Sequence, residues 1–296
     1  METDEPVLID YQRGPVEVWG RRMKMEYVGM ASVFAVIVVL VYGGQPWPRS
    51  LIAMMGSFFL FLGLKKKSRD HLMCSFLLFM AALLARPAVL IADWALPLLL
   101  FGATVFSLER YIEKRPSQVY VLPMVLAVWG WVDGFWLLGL LFAATYLFHP
   151  RADRPGWRRR LALTVVVAAA AGGITTVARL VGPNAPIDYW PSAQVVLGST
   201  HLTATAALVL VALIAVAAYW RRLIVPHRIN PLFFAALAPW DVRLAAIFGM
   251  VAAVLLAATI FRHSIDSDRA RPFFKHAEWH FFWWVLALAV WALAKT

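Results

Sequence analysis

Long apolar stretches alternate along this chain with short polar and charged ones. An apolar run of about 20 residues is the length that one helix needs to cross the hydrocarbon core of a membrane. Shorter runs are typical of tilted or broken helices, or of half-helices that turn around inside the protein. The pattern therefore predicts an all-α, polytopic membrane protein with about ten transmembrane helices, some of them short or broken. The ten runs are Tyr27–Tyr42, Trp47–Leu64, Leu72–Ala85, Ala88–Phe106, Val119–Trp131, Phe135–Phe148, Leu161–Leu180, His201–Trp220, Val242–Phe261 and Trp279–Ala294.

Composition supports this prediction. The chain has 296 residues, of which 61% are hydrophobic and 15% charged, and its mean hydropathy is +0.69. A soluble domain carries nearer a quarter of charged residues, so these values exclude that class. The net charge of +11 does not indicate nucleic acid, because the basic residues form short clusters between apolar runs, as in topology signals and headgroup contacts. The single cysteine, Cys74, excludes an intrachain disulfide and a cysteine-based metal site.

The chain divides into two parts. Residues 1–26 mix acids and bases, and Val16, Val18, Trp19 and Met23 can form one apolar stripe. We predict a cytoplasmic segment that either lies on the membrane surface or is a solvated tail. Residues 27–296 are predicted to form a single transmembrane helical domain. No cleavable signal pattern precedes the first apolar run, so we expect that run to be a retained anchor.

The distribution of lysine and arginine predicts the orientation of the helices. With ten spans and a cytoplasmic amino terminus, 21 of the 28 basic residues fall on the cytoplasmic side and seven on the outer side. Both termini are then cytoplasmic, and we predict a multi-pass protein of a bacterial inner membrane. The segment Arg221–Asp241 contains three prolines and is predicted to stay on the cytoplasmic side, dipping into the interface.

Four ionisable residues fall at the outer boundary in this arrangement: Arg86, Asp133, Arg179 and Asp188. Ionisable groups at that depth are costly, so they tend to pair with each other or to mark a substrate path. One interpretation is a structural pairing of arginine with aspartate. The other is that Arg86 and Arg179 bind an anionic headgroup or lipid phosphate, which leaves Asp133 or Asp188 as a candidate catalytic base.

The stretch from Ala85 to Phe148 contains motifs in a distinctive order. Arg86-Pro87 precedes a hydrophobic span, Leu108-Glu109-Arg110 begins a basic loop, and Leu122-Pro123 begins an apolar run that leads into the segment Trp129–Leu140. This order resembles the GT-C superfamily of membrane glycosyltransferases, and in particular bacterial relatives of the dolichyl-phosphate-mannose protein mannosyltransferases. The resemblance implies a multispanning enzyme that transfers a sugar from a polyprenyl phosphate to an acceptor on the outer face.

Two departures from the family pattern bear on that activity. Trp129, Gly134 and Gly139 occupy the tryptophan and glycine positions of the family motif, but Trp131 and Asp133 replace its asparagine and histidine. The first outer loop, residues 43–50, holds no acid, although the family keeps its catalytic carboxylate there. Losing a general base costs roughly 10²–10⁴-fold in rate. The resemblance therefore implies either a lost activity or an acid that has moved elsewhere.

The last predicted outer loop offers the best replacement acids. Carboxylates and imidazoles at short spacing can hold Mg²⁺ or Mn²⁺ against a phosphate. The alternative is that the bases in the same loop simply neutralise these acids. The candidate metal ligands are His263, Asp266, Asp268 and Glu278, with His276 and His280 nearby.

Three functional hypotheses follow. The first is a non-catalytic or catalytically reduced GT-C-like membrane subunit that binds lipid and other membrane protein chains, with Trp279, Trp283 and Trp284 as candidate partner contacts. The second is an active glycosyltransferase that uses a polyprenyl-phosphate sugar and a relocated acid. The third is a transporter or flippase of a lipid-linked anion. We rank them in this order. A polyprenyl phosphate lipid is the expected ligand, and no cofactor is certain.

Overall fold

A computed structural model describes residues 47–67, 71–91, 94–112, 116–149, 156–182 and 199–259. Within these ranges all regular structure is helical and no strand occurs, which confirms the all-α prediction for the described part of the chain. Short 3-10 segments precede α4 and follow α5 and α8. The α-helices are α1 (Trp47–Lys67), α2 (His71–Ile91), α3 (Ala95–Ile112), α4 (Leu122–Val132), α5 (Trp136–Thr145), α6 (Trp157–Val181), α7 (Ser199–Tyr219), α8 (Val225–Leu237) and α9 (Val242–Ala258).

Three of these helices are long and apolar enough to cross a membrane. They are α3, α6 and, from His201 onward, α7. Shorter apolar stretches occur in α1, α2, α4, α5 and α9, and α8 belongs to neither group. The predicted runs Tyr27–Tyr42 and Trp279–Ala294 lie outside the described residues. The prediction of a helical membrane protein is therefore supported, whereas the count of ten spans is not confirmed.

Helix α2 is longer than its sequence predicts. The run was expected to end at Ala85, with Arg86 and Pro87 in a loop, yet the helix continues to Ile91. A proline removes one backbone donor and disfavours helical backbone at the residue before it. Ala88 and Val89 are nevertheless fully buried, so packing of this last turn outweighs the local preference. The break to the next helix falls after Ile91 instead.

Helix α9 is the centre of the bundle. All of its side chains are buried except those of Leu244 and Ala258, and it packs against α2, α8, α7 and α1. Around it, α1 packs against α3 and α4 against α6 in the two most extensive of the other contacts. Helices α6 and α7 expose apolar side chains, with Ile174 69% and Leu210 59% exposed. An apolar surface of this kind suits contact with lipid or with another apolar helix.

The course of α3 defines two ends of the bundle. We call them the Asp133 end, where Trp94 precedes α3 and meets Asp133, and the Glu109 end, where α3 finishes. The 18 residues of α3 separate the two ends by about 27 Å at 1.5 Å per residue.

Helix α8 connects these two ends. His227, near its start, lies 2.8 Å from Glu109, and Arg243, which follows it, lies 5.1 Å from the ring centre of Phe135 beside Asp133. The segment is helical over Val225–Leu237, whereas its placement on the cytoplasmic side stays a prediction. Its prolines suggested an irregular segment, but Pro226 lies in the first turn, where no backbone donor is needed, and Pro231 is buried within the helix.

Candidate functional site

Three of the predicted site residues lie in the described part of the chain. Asp133, Arg86 and Arg179 all lie at the Asp133 end: Asp133 between α4 and α5, Arg86 in the last turns of α2, and Arg179 at the end of α6. The other candidates lie outside the described residues and stay predictions. These are the catalytic candidate Asp188, the metal candidates His263, Asp266, Asp268 and Glu278, and the partner contacts Trp279, Trp283 and Trp284.

The carboxylate of Asp133 holds together the turn between α4 and α5. Its Oδ2 accepts a hydrogen bond of 2.7 Å from Trp94 Nε1. Its Oδ1 accepts two of 2.9 Å, from Trp129 Nε1 and from the backbone N–H of Phe135. One side chain thereby joins the start of α3, the end of α4 and the start of α5. Three N–H donors fill three of the roughly four acceptor positions of a carboxylate, so Asp133 acts here as a structural connector.

Burial raises the pKa of Asp133 from 3.8 to about 6. The hydrogen bonds from Trp94, Phe135 and Trp129, and then the charge of Arg243, act in the opposite direction by stabilising the carboxylate. Desolvation outweighs them because the side chain lies among aromatic rings. The Trp94 and Phe135 rings, for example, meet edge to face with centroids 5.3 Å apart.

An ion pair that the sequence analysis missed lies beside this turn. Asp241 caps the start of α9 by accepting a 2.8 Å hydrogen bond from the backbone N–H of Arg243. The Arg243 guanidinium also donates to both Asp241 oxygens, at 2.8 and 2.6 Å, in the two-pronged geometry typical of arginine. The sequence did contain a signal for this helix cap, because Asp241 stands two positions before Arg243 at the start of an apolar run.

The surroundings of Arg86 and Arg179 differ from those of the Asp241–Arg243 ion pair. The Arg179 guanidinium lies 5.4 Å from the ring centre of Trp131, which is 48% exposed. Arg86 lies close enough to His201 to interact with it electrostatically. In each arginine the Nε atom is buried and has no hydrogen-bond partner among the described residues. Both side chains are half-buried, and an anionic oxygen would satisfy the donors left unused.

A second polar cluster lies at the Glu109 end, and no part of it was predicted as a site. Glu109 Oε1 accepts a 2.6 Å hydrogen bond from the Tyr146 hydroxyl and lies 2.8 Å from His227 Nε2. Alongside, Asn230 Nδ2 donates to Thr145 Oγ1 at 2.9 Å. All five side chains are buried. The sequence did contain a signal for this cluster. Glu109 and Tyr146 stand near the ends of two apolar runs, and His227 directly follows a proline.

A small cavity adjoins this cluster between α5, α8 and α9. Its volume is about 10 Å³, and Phe142, Tyr146, His227, Asn230, Val254 and Leu255 are among its lining residues. That volume suits a single water molecule. Within the described ranges, no three or more histidine, cysteine or acidic residues group closely enough to hold a metal ion. The predicted Mg²⁺ or Mn²⁺ site rests on residues outside those ranges.

Comparison with protein-family models, curated proteins and solved structures finds no match. Membership of the GT-C superfamily therefore stays a prediction that rests on the motifs between Ala85 and Phe148.

Proposed function

We propose that this chain is an integral membrane subunit, non-catalytic or catalytically reduced, that binds an anionic lipid phosphate through Arg86 and Arg179 at the Asp133 end. One contrast carries this proposal. The Asp133 carboxylate, the candidate base among the described residues, is occupied by three N–H donors, while each arginine retains a buried Nε without a partner. The predicted role of a GT-C-like frame that binds lipid without transferring sugar agrees with this contrast.

The proposed phosphate ligand follows from the kind of donor. A guanidinium binds phosphate oxygens through paired N–H groups, and an aromatic face beneath it leaves its edge open to an anion. Arg179 has that arrangement on Trp131, whose half-exposed ring lies next to the apolar surface of α6. A lipid phosphate fits this location better than a soluble anion does, because its chains can lie along that surface.

The proposal includes a membrane topology in which α8 is a crossing. The segment after α9 then returns to the cytoplasmic side, the last apolar run ends outside, and the total is eleven crossings. With that change 23 of the 28 lysine and arginine residues fall on the cytoplasmic side instead of 21, so the positive-inside bias becomes stronger. The candidate metal ligands Asp266 and Asp268 would face the cytoplasm, away from Asp133.

Lipid binding can be tested with the full chain in nanodiscs. Native mass spectrometry with added polyprenyl phosphate should show a bound lipid for the wild type. The Arg86→Gln/Arg179→Gln variant should bind at least about tenfold more weakly, since hydrogen bonds to charged groups contribute about 1.5–3 kcal/mol each. The matched control is Arg158→Gln/Arg159→Gln, which removes the same charge from exposed positions at the start of α6.

Equal binding by wild type, variant and control would overturn the proposed site. A sugar-transfer assay with a polyprenyl-phosphate sugar donor distinguishes the enzyme hypothesis from the proposed non-catalytic subunit. Transfer that is lost in Asp188→Asn or Asp266→Asn would establish a relocated catalytic acid and contradict a non-catalytic subunit.

A further inference from the structure

A wide groove lies at the Glu109 end, where the chain passes from α7 to α8. Its volume is about 600 Å³, compared with about 10 Å³ for the cavity beside His227. Pockets that hold small ligands have volumes of roughly 300–1,000 Å³, so the groove is large enough for a lipid headgroup. It belongs to the Glu109 end because His227, a few residues further along, lies 2.8 Å from Glu109. The lining residues are Ala217, Ala218, Tyr219, Trp220, Arg221 and Arg222.

The side chains along α7 and past its end follow the order found at a membrane interface. Ile214 is 59% exposed on the apolar surface of α7, which is one of the helices long and apolar enough to cross a membrane. Tyr219 and Trp220 come next, and the exposed Arg221 and Arg222 follow them. Aromatic rings favour the headgroup level of a bilayer, and arginines near a helix end reach toward the same level. A membrane crossed by α7 therefore brings the headgroups of one leaflet to the groove.

A third arginine is held beside the groove by two contacts. The Arg228 guanidinium lies 5.2 Å from the ring centre of Trp220, and Arg228 Nε donates a 2.8 Å hydrogen bond to the Leu223 carbonyl. Arg179 lies over Trp131 in a similar way at the Asp133 end. A guanidinium that is already stacked on an aromatic face loses less freedom when its edge binds an oxygen anion. The groove therefore combines one positioned arginine with two exposed ones.

The described surface of the Glu109 end is cationic. The described residues contain three acids, and two of them, Asp133 and Asp241, lie at the opposite end. The third, Glu109, is buried and accepts a hydrogen bond from Tyr146. The start of α6, at the same end, carries further exposed arginines. A surface with this charge favours an anionic partner.

We propose that this groove binds the headgroup of an anionic phospholipid. The phosphate contacts the guanidinium groups of Arg221, Arg222 and Arg228, and the glycerol packs against Trp220. The acyl chains extend along the exposed apolar surface of α7, which a soluble phosphate could not use. The groove is separate from the lipid site proposed at the Asp133 end, because the 18 residues of α3 place the two ends about 27 Å apart.

The test uses the full-length protein in nanodiscs of phosphatidylcholine with a rising mole fraction of phosphatidylglycerol that carries a photoactivatable headgroup. Irradiation links bound lipid to the chain, and peptide mass spectrometry locates the link. We expect links within residues 217–228, with a yield that saturates at a low mole fraction. Arg221→Gln/Arg222→Gln should raise the half-saturating mole fraction at least about tenfold, since a hydrogen bond to a charged group contributes a factor of about ten or more.

The matched control is Arg158→Gln/Arg159→Gln, which removes the same charge from two adjacent exposed positions at the same end of the bundle, outside the groove. It should leave the half-saturating mole fraction unchanged. An excess of soluble glycerophosphate should also leave the yield unchanged, because it lacks acyl chains.

Three results would overturn the proposal: a wild-type yield that rises in proportion to the mole fraction without saturating, the same half-saturating mole fraction in both double variants, or displacement of the lipid by soluble glycerophosphate. Saturation in the wild type does not depend on whether any variant folds. Arg86→Gln/Arg179→Gln should leave the links at residues 217–228 unchanged, so this site can fail or hold independently of the proposed function.

Discussion

At the scale of single residues, the sequence predicted where three side chains lie but not which groups they contact. The sequence analysis placed Asp133, Arg86 and Arg179 at one boundary of the bundle, and the structure places all three at the Asp133 end. The sequence could not indicate that two tryptophans and a backbone N–H would occupy the Asp133 carboxylate. One of these donors, Trp94, is 39 residues away. Hydrogen bonds over such distances depend on how helices pack.

The Asp133 contacts predict a specific loss of stability. Asp133→Asn retains one oxygen for Trp129 and Phe135 but turns an amide NH₂ toward Trp94 Nε1. Two donors then face each other, and the free energy of unfolding should fall by about 1–3 kcal/mol. Thermal melting in detergent measures the change. Adding Trp94→Phe removes the opposing donor, so the double variant should lose less than the sum of the two single variants. Strict additivity would contradict the direct contact.

The raised pKa of Asp133 predicts a pH dependence with a definite sign. The folded state keeps its proton up to a pKa of about 6, whereas the unfolded state releases it near 3.8. The folded state therefore binds more protons between these values, and its stability should fall as the pH rises from 4 to 6, by up to about 3 kcal/mol. The measurement is melting temperature against pH. Asp133→Asn should remove this component, and an unchanged profile would exclude Asp133 as its source.

At the scale of helices, apolar runs bounded by charges or polar loops were predicted well. Helices α6 and α7 match the runs Leu161–Leu180 and His201–Trp220 to within a few residues. The errors occur where prolines were interpreted as breaks, in α2 at Pro87 and in α8 at Pro231. Local preference favours a boundary at such positions, but each proline is buried in a packed helix, and only tertiary contacts reveal that this packing prevails.

Close contact between α5 and α6 depends on a glycine, and two neighbouring positions in α6 distinguish the effect of this contact from the effect of helix propensity. A methyl group on Gly172 would lie 2.6 Å from the Trp136 ring, whereas one on Gly173 would meet nothing within 4 Å. Gly172→Ala should lower the melting temperature through this overlap. Gly173→Ala should leave it unchanged or raise it, since alanine is up to about 1 kcal/mol better in a helix. Equal effects would contradict the described packing.

At the scale of the whole molecule, the predicted class of helical membrane protein agrees with the described helices. The predicted assignment of loops to the two sides of the membrane depends on one segment. Counting charges between runs assigns alternate loops to opposite sides, so one missed crossing inverts every later loop. In the topology proposed above, helix α8 is such a crossing: His227 near its start contacts Glu109, and Arg243, which follows the helix, lies over the Phe135 ring. The pairing of Glu109 with His227 could not be predicted, since 118 residues separate them and their contact depends on how the helices pack.

Two tryptophans on either side of α8 provide a direct test of its course. Trp220 is 46% exposed just before the helix and Trp240 is 64% exposed just after it. Because Cys74 is the only cysteine, a Cys74→Ser background allows Trp220→Cys and Trp240→Cys to be labelled singly in intact cells with a membrane-impermeant maleimide. If α8 crosses the membrane, only the Trp240→Cys protein should react from outside, and the Trp220→Cys protein should react only after the membrane is opened. Reaction of both from the same side would restore the cytoplasmic placement of Arg221–Asp241 and remove the eleventh crossing.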